Sequence, residues 1–240
     1  MSLSSFEKEK YFCSTFLKEI GEKGQEKLMN TKVLVIGAGG LGSSTLMYLA
    51  SSGIKEIGII DFDKVSLDNL PRQILYGEKD VGKLKVEAAK EKMKSLCENI
   101  SVITRNEKVT KDNIEKLIKD WDIVLDCVDN FEAKFIINDA CKKLGTPLVT
   151  AGVSGFGGQV MMVTKDSKHD FKSLFSTLPL NISQEDKDAD RGVFPLAVAT
   201  ISNIQCSEAF KYILGIGEHL IDKMLVVDVL NNTYHTFKFE

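Results

Sequence analysis

The 240-residue chain carries 31 basic and 34 acidic side chains, a formal net charge of −3. That balance excludes a strongly basic nucleic-acid binder and an acidic-tail protein. Its hydrophobic and charged fractions, 43% and 27%, are those of an ordinary globular protein, and at roughly 100–200 residues per domain the length allows one large domain.

No apolar run approaches the ~20 residues of a membrane-spanning helix. Met1 to Lys10 is polar and charged, so no signal peptide is expected. The cysteines, Cys13, Cys97, Cys127, Cys141 and Cys206, are scattered and form no CxxC pair. No zinc and no disulfide framework are therefore expected, and the expected compartment is a reducing cytoplasm.

In chain order, residues 1–30 read as an N-terminal helical segment. Lys32–Ile36 (KVLVI) is a short, β-branched strand. Gly37-Ala38-Gly39-Gly40-Leu41-Gly42 follows, and Leu41, Thr45, Leu46 and Leu49 then recur at helical spacing up to Gly53. Ile57–Asp63 reads as a second strand. Lys83–Leu96 reads as an amphipathic helix, with Val86, Ala89, Met93 and Leu96 on one face. Ser101–Thr104 is a weak strand. Thr110 is expected to cap a helix bearing Ile114, Leu117, Ile118 and Trp121. Asp122–Cys127 is a further strand, and Phe131–Leu144 a helix with Phe135, Ile136, Ala140 and Leu144 inward.

Pro147–Ala151 and Gly155–Val163 are expected strands. Lys165–Arg191, mostly polar, reads as a mobile loop anchored by Phe171, Leu174 and Phe175. Pro195–Leu214, with an apolar start, reads as a buried helix. Met224–Leu230 and Thr233–Phe239 read as a hairpin around Asn231-Asn232.

Strands alternating with helices predict a parallel sheet with right-handed crossovers. The expected fold is α/β: Rossmann-like and doubly wound, with a mostly parallel sheet, helices on both faces and an antiparallel C-terminal extension. Residues 31–164 form the nucleotide-binding core, and residues 192–240 pack on the same single domain.

Gly37-x-Gly39-x-x-Gly42 between a strand and a helix is a nucleotide fingerprint. Its glycines permit close backbone approach, and the helix N-terminus offers amide donors to a phosphate. Asp61, 19 residues after Gly42, stands where an acid accepts ribose hydroxyls. By itself the motif leaves NAD, FAD and ATP open. Strand ends in a doubly wound sheet converge on one crevice, which would bring Gly40, Asp61, Arg72, Lys85 and Asp129 together. None of His169, His219 and His235 is placed as a proton donor for a nicotinamide. Arginine, lysine and a carboxylate that holds Mg²⁺ suit phosphoryl or adenylyl chemistry instead.

GAGGLG, IIDFDKVSLDNLPRQ, VGKLKVEAAK and DCVDN, in this order and spacing, resemble the ThiF/MoeB/HesA family, bacterial relatives of ubiquitin-activating enzymes. The resemblance runs from about Gly24 to the final hairpin. It implies a homodimeric adenylyltransferase that uses ATP and Mg²⁺ on the C-terminal Gly-Gly of a small ubiquitin-like sulfur carrier, in thiamine, molybdopterin or related sulfur transfer. By the same resemblance Gly37, Gly39, Gly40 and Gly42 cradle phosphate, and Asp61 and Asp63 lie at the ribose side. Asp68, Asn69, Arg72 and Gln73 line the nucleotide, Arg72 and Lys85 contact phosphates, and Asp129 serves Mg²⁺ with Asn130 beside it. Arg72, Lys85 and Asp129 are the implied catalytic residues.

Three features depart from the family pattern. The two CxxC pairs that hold zinc in many members are missing. No cysteine stands in Asp186–Gly192, before the late helix. Cys13 replaces the second arginine of an R-Y-x-R-Q element that in the family reaches the partner's ATP. The alternatives at this stage are a relative of the tRNA threonylcarbamoyladenosine dehydratase type, a nucleotide-binding relative without catalysis, and an NAD(P) oxidoreductase.

Overall fold

The apolar run Lys32–Ile36 forms β1, a central strand whose alternating side chains feed two separate cores. A computed structural model describes residues 2–175 and 192–240. The other strands are β2 (Glu56–Ile60), β3 (Ser101–Arg105), β4 (Ile123–Asp126), β5 (Leu148–Ser154), β6 (Gly157–Val163), β7 (Lys223–Asp228) and β8 (Thr233–Lys238). They lie in one sheet in the order β3-β2-β1-β4-β5-β6-β7-β8. Pairs from β3 to β5 are parallel, and pairs from β5 to β8 are antiparallel.

The described helices are α1 (Ser5–Lys10), α2 (Phe12–Thr15), α3 (Gly21–Asn30), α4 (Gly40–Ser51), α5 (Lys85–Leu96), α6 (Ile114–Ile118), α7 (Phe131–Leu144), α8 (Phe171–Phe175) and α9 (Pro195–Leu214). Successive strand residues point to opposite faces. Val33, Val35, Ile57 and Ile59 accordingly pack with residues of α4, α5 and α9, including Leu46, Met93 and Ile201. Leu34, Ile36, Ile60 and Val124 join Ile118, Ile137 and Phe171 on the other face. A sheet covered on both faces needs central strands that are apolar throughout, as β1, β2 and β4 nearly are.

Several boundaries differ from the sequence reading. β2 stops at Ile60 because Asp61 turns the chain, its Oδ1 accepting from the Asp63 amide at 2.8 Å. α6 begins only at Ile114, because Asn113 Oδ1 bonds back to the Thr110 N–H (2.8 Å). The buried face of α7 is Ala133, Ile137, Ala140 and Cys141 together with Lys134, while Leu144 is exposed. A lysine in that stripe made it read as polar. β7 ends at Asp228, whose carboxylate accepts from the amides of Leu230 and Asn231 and so closes the hairpin turn.

Within the segment read as a mobile loop, residues 165–175 are described and contain α8. Phe171 there is buried and stacks on Phe131, ring centroids 5.9 Å apart. The remainder of that expectation lies outside the described residues. α9 matches its expected bounds, with Pro195 in its first turn and Gly215 in left-handed backbone at its C-terminus. Its apolar start is covered only in part: Ala197, Val198 and Ile201 are buried, but Leu196 is 61% exposed.

Candidate active site

The strand order reverses between β1 and β4, and a doubly wound sheet opens a crevice at such a point. The register levels the strand ends there, Ile36 lying beside both Ile60 and Asp126. Gly37, Asp61 and Cys127 therefore emerge together. The Gly37 amide donates to Ile60 O, and the Cys127 amide to Ile36 O, both at 2.8 Å.

The glycine loop needs its glycines. Gly37 has φ +98°, and a Cβ there would sit 2.6 Å from the Cys127 carbonyl oxygen. A Cβ on Gly42 would lie 2.1 Å from Gly37 O, which seats α4 directly on the loop. At Gly40 it would meet Val198 at 2.9 Å, whereas at Gly39 the nearest atom is Gln73 Nε2 at 3.7 Å. Gly39 precedes α4 and caps it with no side chain, so the first-turn amides and the positive end of the helix dipole are available to an anion.

Asp61 ties this loop to β2. Its Oδ2 accepts from the Ala38 amide at 2.7 Å and its Oδ1 from Asp63. Each oxygen retains a second lone pair for a ligand hydroxyl. Tyr76 supports the loop from behind: its hydroxyl donates to Ala38 O at 2.8 Å. Burial, reinforced by the charges of Asp61 and Asp80, holds its pKa far above the ordinary tyrosine value, so it remains a donor. Sequence reasoning missed Tyr76; the one signal was an aromatic residue in a largely polar crossover.

That crossover supplies the cations. Lys85 is buried, and its Nζ reaches Asp63 Oδ2 at 3.1 Å, while Asp63 itself is half exposed. Arg72 Nη1 donates to the main-chain oxygen of Asp68 at 2.8 Å, which leaves most of its five-donor fork unspent. The Asp68 carboxylate accepts from Ser66 Oγ (2.6 Å) and from Asn69 Nδ2 (3.1 Å). The Ser66 hydroxyl above all, with Arg72 nearby, holds its carboxyl below the usual range. Gln73 is buried, and its Oε1 has no partner among the described residues.

Across the crevice, Asp129 and Asn130 follow β4, and both are exposed. Asn130 caps α7, its Oδ1 accepting from the Ala133 amide at 2.9 Å. Among the described residues, Asp129 accepts only a long contact from Asn130 Nδ2, at 3.4 Å, and no capping bond occupies its carboxylate. Among the described residues no ion pair or hydrogen bond joins Asp129 to Arg72 or Lys85. The structure thus brings the glycine loop, Asp61, Asp63, Gln73 and Lys85 into direct relation, and sets Asp129 apart on the neighbouring strand end.

No group of three or more His, Cys, Asp or Glu among the described residues is arranged to hold a metal ion. Cys127, Cys141 and Cys206 are buried, which pushes their thiols up, Cys206 to about 12. Cys13 is exposed and lies away from the crevice. With Tyr48 and Ser51 it lines a cavity of about 570 Å³ at the other end of α4. Among the described residues, no helix is long and apolar enough to cross a membrane.

A glycine loop, an acid just past β2 and a crossover carrying Arg72 and Lys85 stand at the switch point of a doubly wound, Rossmann-type sheet. The chain belongs to the ThiF family, whose model matches residues 13–240. It is similar to the probable adenylyltransferase/sulfurtransferase MoeZ of Mycobacterium tuberculosis, 35% identical over 239 residues that cover 98% of this chain and 61% of that protein. The sulfur carrier protein adenylyltransferase of Thermus thermophilus is 33% identical, with 95% of this chain and 86% of that protein covered. Among solved structures, E. coli MccB with ATP is similar at a TM-score of 0.79 and 25% identity, covering 90% of this chain and 66% of that one. The chain therefore spans about three fifths of the length of MoeZ.

Proposed function

We propose that this chain adenylates the C-terminal glycine of a small ubiquitin-like sulfur carrier, using ATP with Mg²⁺. The observation that supports this reading best is an uncapped helix N-terminus whose loop is tied to Asp61, with the Asp63–Lys85 ion pair two residues further on. The names of the MoeZ and sulfur carrier relatives support the reaction class, and the likeness to MccB with ATP supports the nucleotide.

The chemistry suits these residues. A C-terminal carboxylate is ionised at neutral pH, so it attacks the α-phosphate without a general base. What opposes it is repulsion from the triphosphate. The loop amides and the α4 dipole hold the phosphates, and Arg72 and Lys85 screen their charge as pyrophosphate leaves. Asp61 accepts the ribose hydroxyls, and Asp63 holds the Lys85 ammonium at the crevice wall. Magnesium is commonly held by one or two carboxylates plus substrate phosphates, and Asp129, exposed and uncommitted, fits that mode. Bound there, Mg²⁺ supplies charge neutralisation on the phosphates.

ATP with Mg²⁺ is expected to stabilise the fold by roughly 2–4 kcal/mol at about 100–1,000 times Kd. For a chain of this size that raises the unfolding midpoint by about 5–15 °C. Thermal unfolding with ATP and with NADH checks it, and a response to NADH but not to ATP overturns the nucleotide assignment.

A homodimer is part of the same reading. The rings of Phe156 and Phe194 meet at a tilt with centroids 5.3 Å apart, Leu196 follows two residues on, and all three are at least 37% exposed. Such a patch is suited to burial against a second subunit. Light scattering at micromolar concentration is expected to return twice the chain mass, and a monomer refutes this part.

Cys13, standing where the family's arginine stands, favours a second reading: a nucleotide-binding relative without catalysis. Intact ATP binding with no pyrophosphate exchange on any Gly-Gly carrier selects it.

A further inference from the structure

Behind Asp129 the chain buries an ion pair that the proposed chemistry does not use. Asp126 closes β4 with its side chain 1% exposed, and Lys134 lies in the first turns of α7 at 6%. Lys134 Nζ donates to Asp126 Oδ2 at 2.9 Å and to Ala151 O at 2.6 Å, and it faces the Phe171 ring at 5.6 Å. Asp126 Oδ2 also accepts from Thr150 Oγ1 at 2.7 Å, and its Oδ1 from the Val128 amide at 3.1 Å.

Stability alone does not account for this pair. Desolvating two charges costs about as much as their attraction returns, and an apolar pair of similar volume often serves stability as well. The geometry offers another reason. The contacts close a ring that runs from Asp126 through Val128 and Asp129 to Asn130, which caps α7. One turn of helix later comes Lys134, which returns to Asp126. From outside, Gln205 Nε2 clamps Asp126 O and Val149 O, each at 2.9 Å. Among the described residues Asp129 has no comparable anchor of its own, only the 3.4 Å contact from Asn130. Its place is set by the backbone on either side, and the ring holds that backbone.

We infer that Lys134, acting through Asp126, is a positioning residue that holds the Asp129 carboxylate where a nucleotide-bound Mg²⁺ requires it. The inference rests on the nucleotide reading of the site. Mg²⁺ tolerates little departure from octahedral geometry. A site with one protein carboxylate therefore depends on where that carboxylate stands, and losing an outer partner of a metal ligand typically costs about 10–100-fold in metal affinity.

The test is calorimetric titration with the α,β-methylene analogue of ATP, whose α–β link does not cleave and so transfers no AMP, with and without Mg²⁺. Wild type is expected to bind the analogue more tightly with Mg²⁺. Lys134→Met is expected to lose at least about tenfold of that enhancement while its Mg²⁺-free affinity is unchanged. Thr150→Val, which removes one donor to the same carboxylate, is expected to lose less, in the same direction. A folded Lys134→Met with full enhancement overturns the inference, as does a wild type indifferent to Mg²⁺. If Lys134→Met does not fold, Thr150→Val decides: loss supports the inference and full enhancement overturns it. A wild type that shows Mg²⁺ enhancement but no carrier-dependent exchange defeats the functional reading and leaves this inference to the two variants.

Discussion

Asp129→Ala is expected to abolish carrier-dependent ATP–pyrophosphate exchange while leaving the fold intact. The two halves of that expectation have separate grounds. The Asp129 carboxylate is exposed and makes one long contact, so its removal takes away no packing and no capping bond; Asn130 carries the cap of α7. Yet it is the exposed carboxylate that follows β4, and the one proposed to serve the crevice. Without it, charge developing on the phosphates loses the protein group proposed to hold the compensating cation. Arg72→Ala is expected to lower exchange by at least about 10²-fold, the scale of losing one pre-organised charge contact. Among the described residues, the Arg72 side chain makes one hydrogen bond, to the Asp68 carbonyl, so stability should hardly change. Both variants are checked by pyrophosphate exchange with a Gly-Gly carrier, alongside thermal unfolding. An Asp129→Ala protein that exchanges at the wild-type rate removes Asp129 from the proposed machinery.

Gly42→Ala is expected to damage fold and site together. Its Cβ would lie 2.1 Å from Gly37 O, a backbone atom that cannot swing aside. α4 must therefore lift from the loop, and in lifting it strains the Ala38 amide bond to Asp61 and the Tyr76 bond to Ala38 O. Overpacking costs about 1–3 kcal/mol and occasionally more, and the disturbed buried hydrogen bonds add about 1 kcal/mol or more. For a chain of this size a loss of ~3 kcal/mol lowers the unfolding midpoint by about 6–12 °C, and the thermal response to ATP should vanish with it. Gly77→Ala is the control, since its Cβ would meet nothing nearer than Asp80 Oδ2 at 4.0 Å. A Gly42→Ala protein as stable and as responsive to ATP as that control contradicts the close seating of α4.

The sequence by itself determined the parts of this protein that rest on local patterns. KVLVI followed by GAGGLG declared β1, its turn and α4, because a short β-branched apolar run, helical periodicity and obligatory glycines are written in consecutive residues. The hairpin of β7 and β8 was legible for the same reason, and so was the full extent of α9. Tertiary structure alone decided the polar supports. Lys134 reads as a solvated residue until Asp126 and Ala151 O are seen around it. Gln205, 79 positions from Asp126, and Tyr76, 38 positions from Ala38, belong to no spacing pattern. A polar side chain is either solvated or committed to a buried partner, and which of these holds depends on contacts far apart in the chain. Those contacts exist only once the strands have been ordered and the helices laid on both faces of the sheet.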